Sequence, residues 1–144
     1  AAFSAAGVVV NHALAHALGA VLGTPHGEAV AAGTPVHLRF NADRCQAEYA
    51  ELAECCGIAG DSEASRASRF VGEITDLLHS VGLPQKVEIP VDAPDHLIER
   101  LVDNAYESTA VVLPFNPRKV DREILAELFR QVLGAAPETH ARIS

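Results

Sequence analysis

With 144 residues, 49% of them hydrophobic but only 5% aromatic, the chain is long enough to bury one core, built mainly from Ala, Val and Leu. A formal net charge of −8 argues against a nucleic-acid partner, since phosphate binding needs clustered Lys and Arg. Three cysteines, Cys45, Cys55 and Cys56, without CxxC spacing, exclude zinc-finger spacing and point to reduced thiols in a cytoplasmic protein.

Apolar periodicity and turn residues read as helices joined by short breaks, an all-α multi-helix bundle in a single domain over 1–144. The first helix spans residues 2–22 and stops at Gly23-Thr24-Pro25, where Gly can turn left-handed and Pro cannot continue the ladder. Its segment 5–23 is apolar, but Asn11, His12 and His16 sit in the middle, so a buried core helix is expected and not a membrane span. The absence of a basic n-region before it argues against a signal peptide. The second helix follows His26 and runs to residue 40, with a bend expected at Pro35.

The third helix covers 44–56, opened by a capping box from Asp43 to Gln46 and ended by Gly57. Asp61 or Ser62 caps a longer helix to residue 81, with Phe70, Ile74, Leu77, Leu78 and Val81 on its apolar stripe and Gly82-Leu83-Pro84 closing it. Residues 85–91, QKVEIPV, alternate like a strand but are short and contain Pro90, and read as an extended connection. Asp92 starts the next helix, with Leu97, Ile98, Leu101, Val102 and Ala105 as its stripe. The segment 111–120 is a Pro-interrupted loop. The last helix, 121–133, buries Ile124, Leu125, Leu128, Phe129 and Val132, and the tail after Gly134 has no amphipathic pattern.

Chemistry concentrates at residues 7–27, where His12 and His16 lie four apart and so share one helical face, and His26 follows the Gly-Thr-Pro break. A turn there can bring the third imidazole back toward the other two, which makes a metal site conceivable. The competing reading is that these are hydrogen-bonded core or boundary histidines. Spacing alone does not choose the ligands, and a plain antiparallel hairpin about Gly23 would favour His16 over His12 as the partner of His26. His37, His79, His96 and His140 are scattered and read as surface or boundary residues. Glu28 could orient a ring or simply sit solvated in a first helical turn, and Arg118 reads as a structural loop residue.

The run FSAAGVVVNHALAHALGAVLGTPHG at 3–27, followed by PVHLRFN at 35–41, resembles the metal-site signature of the iron-containing (group III) alcohol dehydrogenases. Its H-x3-H-x9-P-H-G pattern is filled by His12, His16, Pro25, His26 and Gly27, and Gly82-Leu83-Pro84 and Asn116-Pro117-Arg118 fall where that family carries GLP and NPR. Ala5 and Ala17 depart from the Asn and Pro of many members.

The resemblance implies the helical C-terminal domain of such an enzyme, with His12 and His26 as ligands of a divalent metal, iron foremost and zinc the alternative. His16 then lies beside the site as a catalytic residue, and Phe3 lines the pocket for a small alcohol or aldehyde. It also implies NAD(P) bound on an N-terminal α/β domain or partner chain, which supplies further metal ligands. The chain has no GxGxxG, no Met, and starts inside what reads as a helix, so a piece of a longer protein, inactive alone, is expected. Glycerol-dehydrogenase-like or maleylacetate-reductase-like enzymes, and a stand-alone helical metal-binding or interaction module, are the alternatives. A homo-oligomer is compatible with all of these.

Overall fold

The computed structural model of the chain describes residues 9–89 and 95–135. Among them are six α-helices: α1 (Val10–Leu22), α2 (His26–Asn41), α3 (Gln46–Cys55), α4 (Glu63–Ser80), α5 (Asp95–Thr109) and α6 (Arg122–Val132). Helix α1 is the centre of the assembly. Val10, Ala13, Leu14, Ala15, Ala17 and Leu18 are all fully buried in it, because α2, α5 and α6 pack around it. Its many alanines are strong helix formers and let those neighbours approach closely. Gly23 ends it at φ 73°, a left-handed conformation that favours glycine.

Two apolar clusters follow from this arrangement. The larger joins α1 to the inner faces of α2, α5 and α6, with Ile98, Leu101, Leu125, Leu128 and Phe129 among its members. The smaller lies where α3 and α4 pair against the end of α2, around Leu38, Tyr49, Ala53, Ala67 and Phe70. The stripes expected for α5 and α6 are the buried faces of those helices. Asp121 caps α6 by accepting a hydrogen bond from the Ile124 N–H at 3.0 Å, and Ser62 caps α4 through the Ser65 N–H at 3.1 Å. Pro35 lies within α2, whose helix continues to Asn41.

Several local expectations are corrected. Val87–Ile89 is a β-strand (β1), paired in parallel with Leu133–Ala135 (β2) in the register Val87↔Leu133, Glu88↔Gly134 and Ile89↔Ala135. The partner strand continues directly from the end of α6, so the pairing that makes 87–89 a strand is supplied from far along the chain. Helix α3 has no capping box: its N-cap is Cys45, without a side-chain bond, and Gln46 Nε2 donates instead to Glu63 Oε1 of α4 at 2.8 Å. The segment 111–120 contains a 3-10 turn at Leu113–Phe115. In α4 the apolar stripe is covered only at its start: Phe70 is buried, whereas Leu77 and Val81 are 56% and 62% exposed. Helix α3 has ten residues against the eighteen of α4, and its cover runs out before Leu77. The expected helix start at Asp92 lies outside the described residues.

Candidate functional site

The three histidines of the 7–27 segment come together. His12 and His16 stand one turn apart on α1, with ring centroids 4.2 Å apart, and His26, the first residue of α2, brings its ring to 5.2 Å from His12 and 5.6 Å from His16. His12 is half-buried, while His16 and His26 are exposed. Burial, reinforced by the neighbouring His16 and His26, lowers the pKa of His12 from its ordinary value, which favours the neutral ring that a metal ion requires.

Two imidazoles sharing one tetrahedral ion at about 2.0–2.1 Å from each nitrogen have ring centroids roughly 5.3 Å apart. The 5.2 Å spacing of His12 and His26 fits this, and the 5.6 Å spacing of His16 and His26 comes close to it. Among the described residues, however, no three His, Cys, Asp or Glu side chains are arranged to hold one ion together, so these residues alone make at most an open site.

Simple hairpin geometry placed His26 nearer to His16. The structure brings it slightly closer to His12, at 5.2 Å against 5.6 Å, and Asn11 near the start of α1 meets Val30 and Thr34 in α2: its Nδ2 donates to the Val30 carbonyl at 3.3 Å and to Thr34 Oγ1 at 3.1 Å. The two helices therefore meet near His12. A second polar cluster holds the beginning of α1. Asn116 Oδ1 accepts from the Val10 N–H at 3.4 Å and from Asn41 Nδ2 at 3.2 Å, while its Nδ2 donates to Asn41 Oδ1 at 2.8 Å and to the Arg118 carbonyl at 2.7 Å.

Asn11, Thr34, Asn41 and Asn116 were not singled out from sequence as carrying the site. The available signals were the polar Asn11 within an apolar helical run, and the asparagines of the FN and NPR landmarks.

The remaining candidates lie elsewhere. His37 is strongly desolvated in α2, which pushes its pKa down to about 4 against the smaller opposing effect of the Thr34 and Gly33 backbone. His79 and His96 are exposed; His140 and Phe3 lie outside the described residues. Glu28 is exposed in the first turn of α2. The Arg118 guanidinium sits 4.6 Å from the Phe40 ring centroid and donates to the Phe40 carbonyl at 3.2 Å, a structural role. A cleft of about 340 Å³ is lined by Thr24, Pro25 and Glu28 on one side and Pro84, Lys86 and Glu88 on the other, so the GLP landmark adjoins the turn that carries His26.

No described helix is long and apolar enough to cross a membrane. Residues 1–133 match the family described as Fe-containing alcohol dehydrogenase family, C-terminal. Similar proteins include 1-propanol dehydrogenase PduQ of Salmonella typhimurium, 32% identical over 137 residues, covering 92% of this chain and 37% of the relative. The 1,3-propanediol dehydrogenase of Klebsiella pneumoniae is 32% identical, covering 90% of this chain and 33% of the relative. Lactaldehyde reductase of Escherichia coli is 32% identical, with shares of 88% and 33%. The chain thus spans about a third of the length of the curated relatives it matches. Among solved structures, that of a 1,3-propanediol oxidoreductase is similar at a TM-score of 0.71 and 29% identity, over 85% of this chain and 32% of that one. With the histidine pattern, the helical fold and the match over 1–133 in agreement, the chain belongs to the Fe-containing alcohol dehydrogenase family and corresponds to its C-terminal part.

Proposed function

We propose that this chain is the metal- and substrate-binding part of an NAD(P)-dependent alcohol dehydrogenase, in which His12 and His26 hold a divalent cation, iron foremost and zinc the alternative. The observation that carries this reading is the 5.2 Å separation of the His12 and His26 rings, set by two helices and not by a loop. When bound, the cation supplies Lewis-acid polarisation of a carbon–oxygen group. His12 and His26 bind as neutral imidazoles. We assign to His16 the passage of the alcohol proton toward solvent through a ring nitrogen; its exposure and its position one turn from His12 support that role.

The remaining metal ligands and the NAD(P) site belong to an α/β domain, in the same polypeptide or a partner chain. The relatives are named for 1-propanol, 1,3-propanediol and lactaldehyde, which supports short alcohols and aldehydes as substrates; for Phe3, outside the described residues, a role toward the substrate rests on the family resemblance alone. Three free thiols support a cytoplasmic location.

The test uses the 144-residue chain. Titration with Co²⁺ shifts the His12 and His26 ring resonances and leaves those of His79 and His96 in place. Assays with NAD(P)H and propanal or lactaldehyde give no turnover without the α/β domain. Failure of His12 and His26 to respond to Co²⁺ overturns the metal assignment, and robust turnover by the chain alone overturns the division of labour.

A further inference from the structure

Asn11 is an unusual residue for its place. It is 8% exposed in a helix whose inner residues are fully buried, its Nδ2 is used twice, and its Oδ1 has no hydrogen-bond partner among the described residues. A half-satisfied buried amide contributes little to stability, because the unpaired oxygen carries its full desolvation cost.

The other half of the contact is Gly33. A glycine inside a helix costs roughly 1 kcal/mol relative to alanine, and here a Cβ would stand 2.1 Å from Asn11 Oδ1. Only glycine lets the amide seat at that depth. The bonds made by Asn11 end on Val30 and Thr34, which lie one and two turns beyond His26 on α2, and Asn11 immediately precedes His12 on α1. Thr34 Oγ1 donates to the Val30 carbonyl at 2.7 Å and therefore accepts from the amide, which fixes the orientation of the Asn11 side chain.

We propose that Asn11 and Gly33 form a positioning lock that sets the rotation and depth of α1 against α2, and with it the separation of the His12 and His26 rings. The lock specifies geometry more than stability. Its geometric half stands on the helix contacts alone; its consequence for metal affinity rests on the reading that His12 and His26 share a cation.

Asn11→Ala, Gly33→Ala and the double variant, each in the full chain, separate the two. In the metal-free wild type, ring-proton Overhauser contacts connect His12 and His26. Asn11→Ala keeps its helical circular dichroism and a Tm within about 4 °C of wild type, yet loses most of the intensity of those ring contacts, and its apparent Co²⁺ affinity falls at least about tenfold. Gly33→Ala shows the same loss of ring contacts. In the double variant the added methyl enters the space left by the amide, where the nearest remaining atom is Leu14 Cδ1 at 3.9 Å, so the double variant is no worse than Asn11→Ala.

Wild-type ring contacts in Asn11→Ala, or a double variant whose Tm falls by the sum of the two single losses, overturns the lock, and the first of these decides even if Gly33→Ala alone fails to fold. Lost ring contacts with a wild-type chain that binds no Co²⁺ uphold the lock and remove the metal assignment.

Discussion

Removing the Asn116 side chain tests how the front of α1 is held. Asn41 and Asn116 are 2% and 6% exposed, and each amide satisfies the other. Asn116→Ala strips both ends of the Asn41 amide and orphans the Val10 N–H, while the Arg118 carbonyl can turn to water. At about 1–3 kcal/mol per buried orphan, three orphans cost about 4 kcal/mol. Asn41→Ala leaves Asn116 with Val10 N–H and the Arg118 carbonyl, and costs about 1.5 kcal/mol. The double variant removes both amides together and leaves chiefly Val10 unpaired, so its cost is about 1.5–2 kcal/mol, less than the sum by at least about 3 kcal/mol. Urea unfolding followed by circular dichroism, with an unchanged m-value, measures all three. Additivity within about 0.5 kcal/mol would refute the reciprocal pairing.

Other expectations follow from single groups. Because burial lowers the His37 pKa from 6.5 to about 4, the unfolded chain binds more protons there as pH falls from 6.5 toward 4, and stability declines by about 3 kcal/mol across that window. His37→Leu flattens this acid limb in pH-dependent urea unfolding; an unchanged slope contradicts it. Phe129→Ala, at a fully buried position in the main cluster, costs about 3–5 kcal/mol in the same experiment, and a cost below about 1 kcal/mol contradicts the packing described. Asp121→Ala removes the cap on Ile124 N–H and lowers stability by about 1 kcal/mol, which Asp121→Asn largely avoids.

Most helices were legible because their signals are local. The α5 and α6 stripes, a cap at Asp61 or Ser62 and the glycine at 23 need only a few neighbouring residues to be recognised, whereas the cap at Asp121 was read only as a helix start. What sequence could not supply was a partner. Val87–Ile89 is a strand because Leu133–Ala135 lies beside it, and the strand-like alternation of 85–91 does not by itself reveal that partner. The second half of the α4 stripe is periodic yet exposed, since periodicity identifies an apolar face but not whether another helix reaches it.

The same limit governed the site. The spacing of His12 and His16 placed them on one face, whereas the approach of His26 to His12 depends on where two helices cross, which Asn11 and Gly33 help to fix. Resemblance, and not spacing, singled out His12 and His26. The asparagine pairing of the FN and NPR landmarks joins residues 75 apart and was invisible until the chain was folded.

The central claim is that His12 and His26 share one cation. X-ray absorption at the zinc edge of the Zn²⁺-loaded chain measures this most directly. Two imidazole nitrogens at about 2.0–2.1 Å are expected in the wild type and in His16→Ala, falling to one in His12→Ala or His26→Ala. Two imidazoles retained in His12→Ala but lost in His16→Ala would contradict the account.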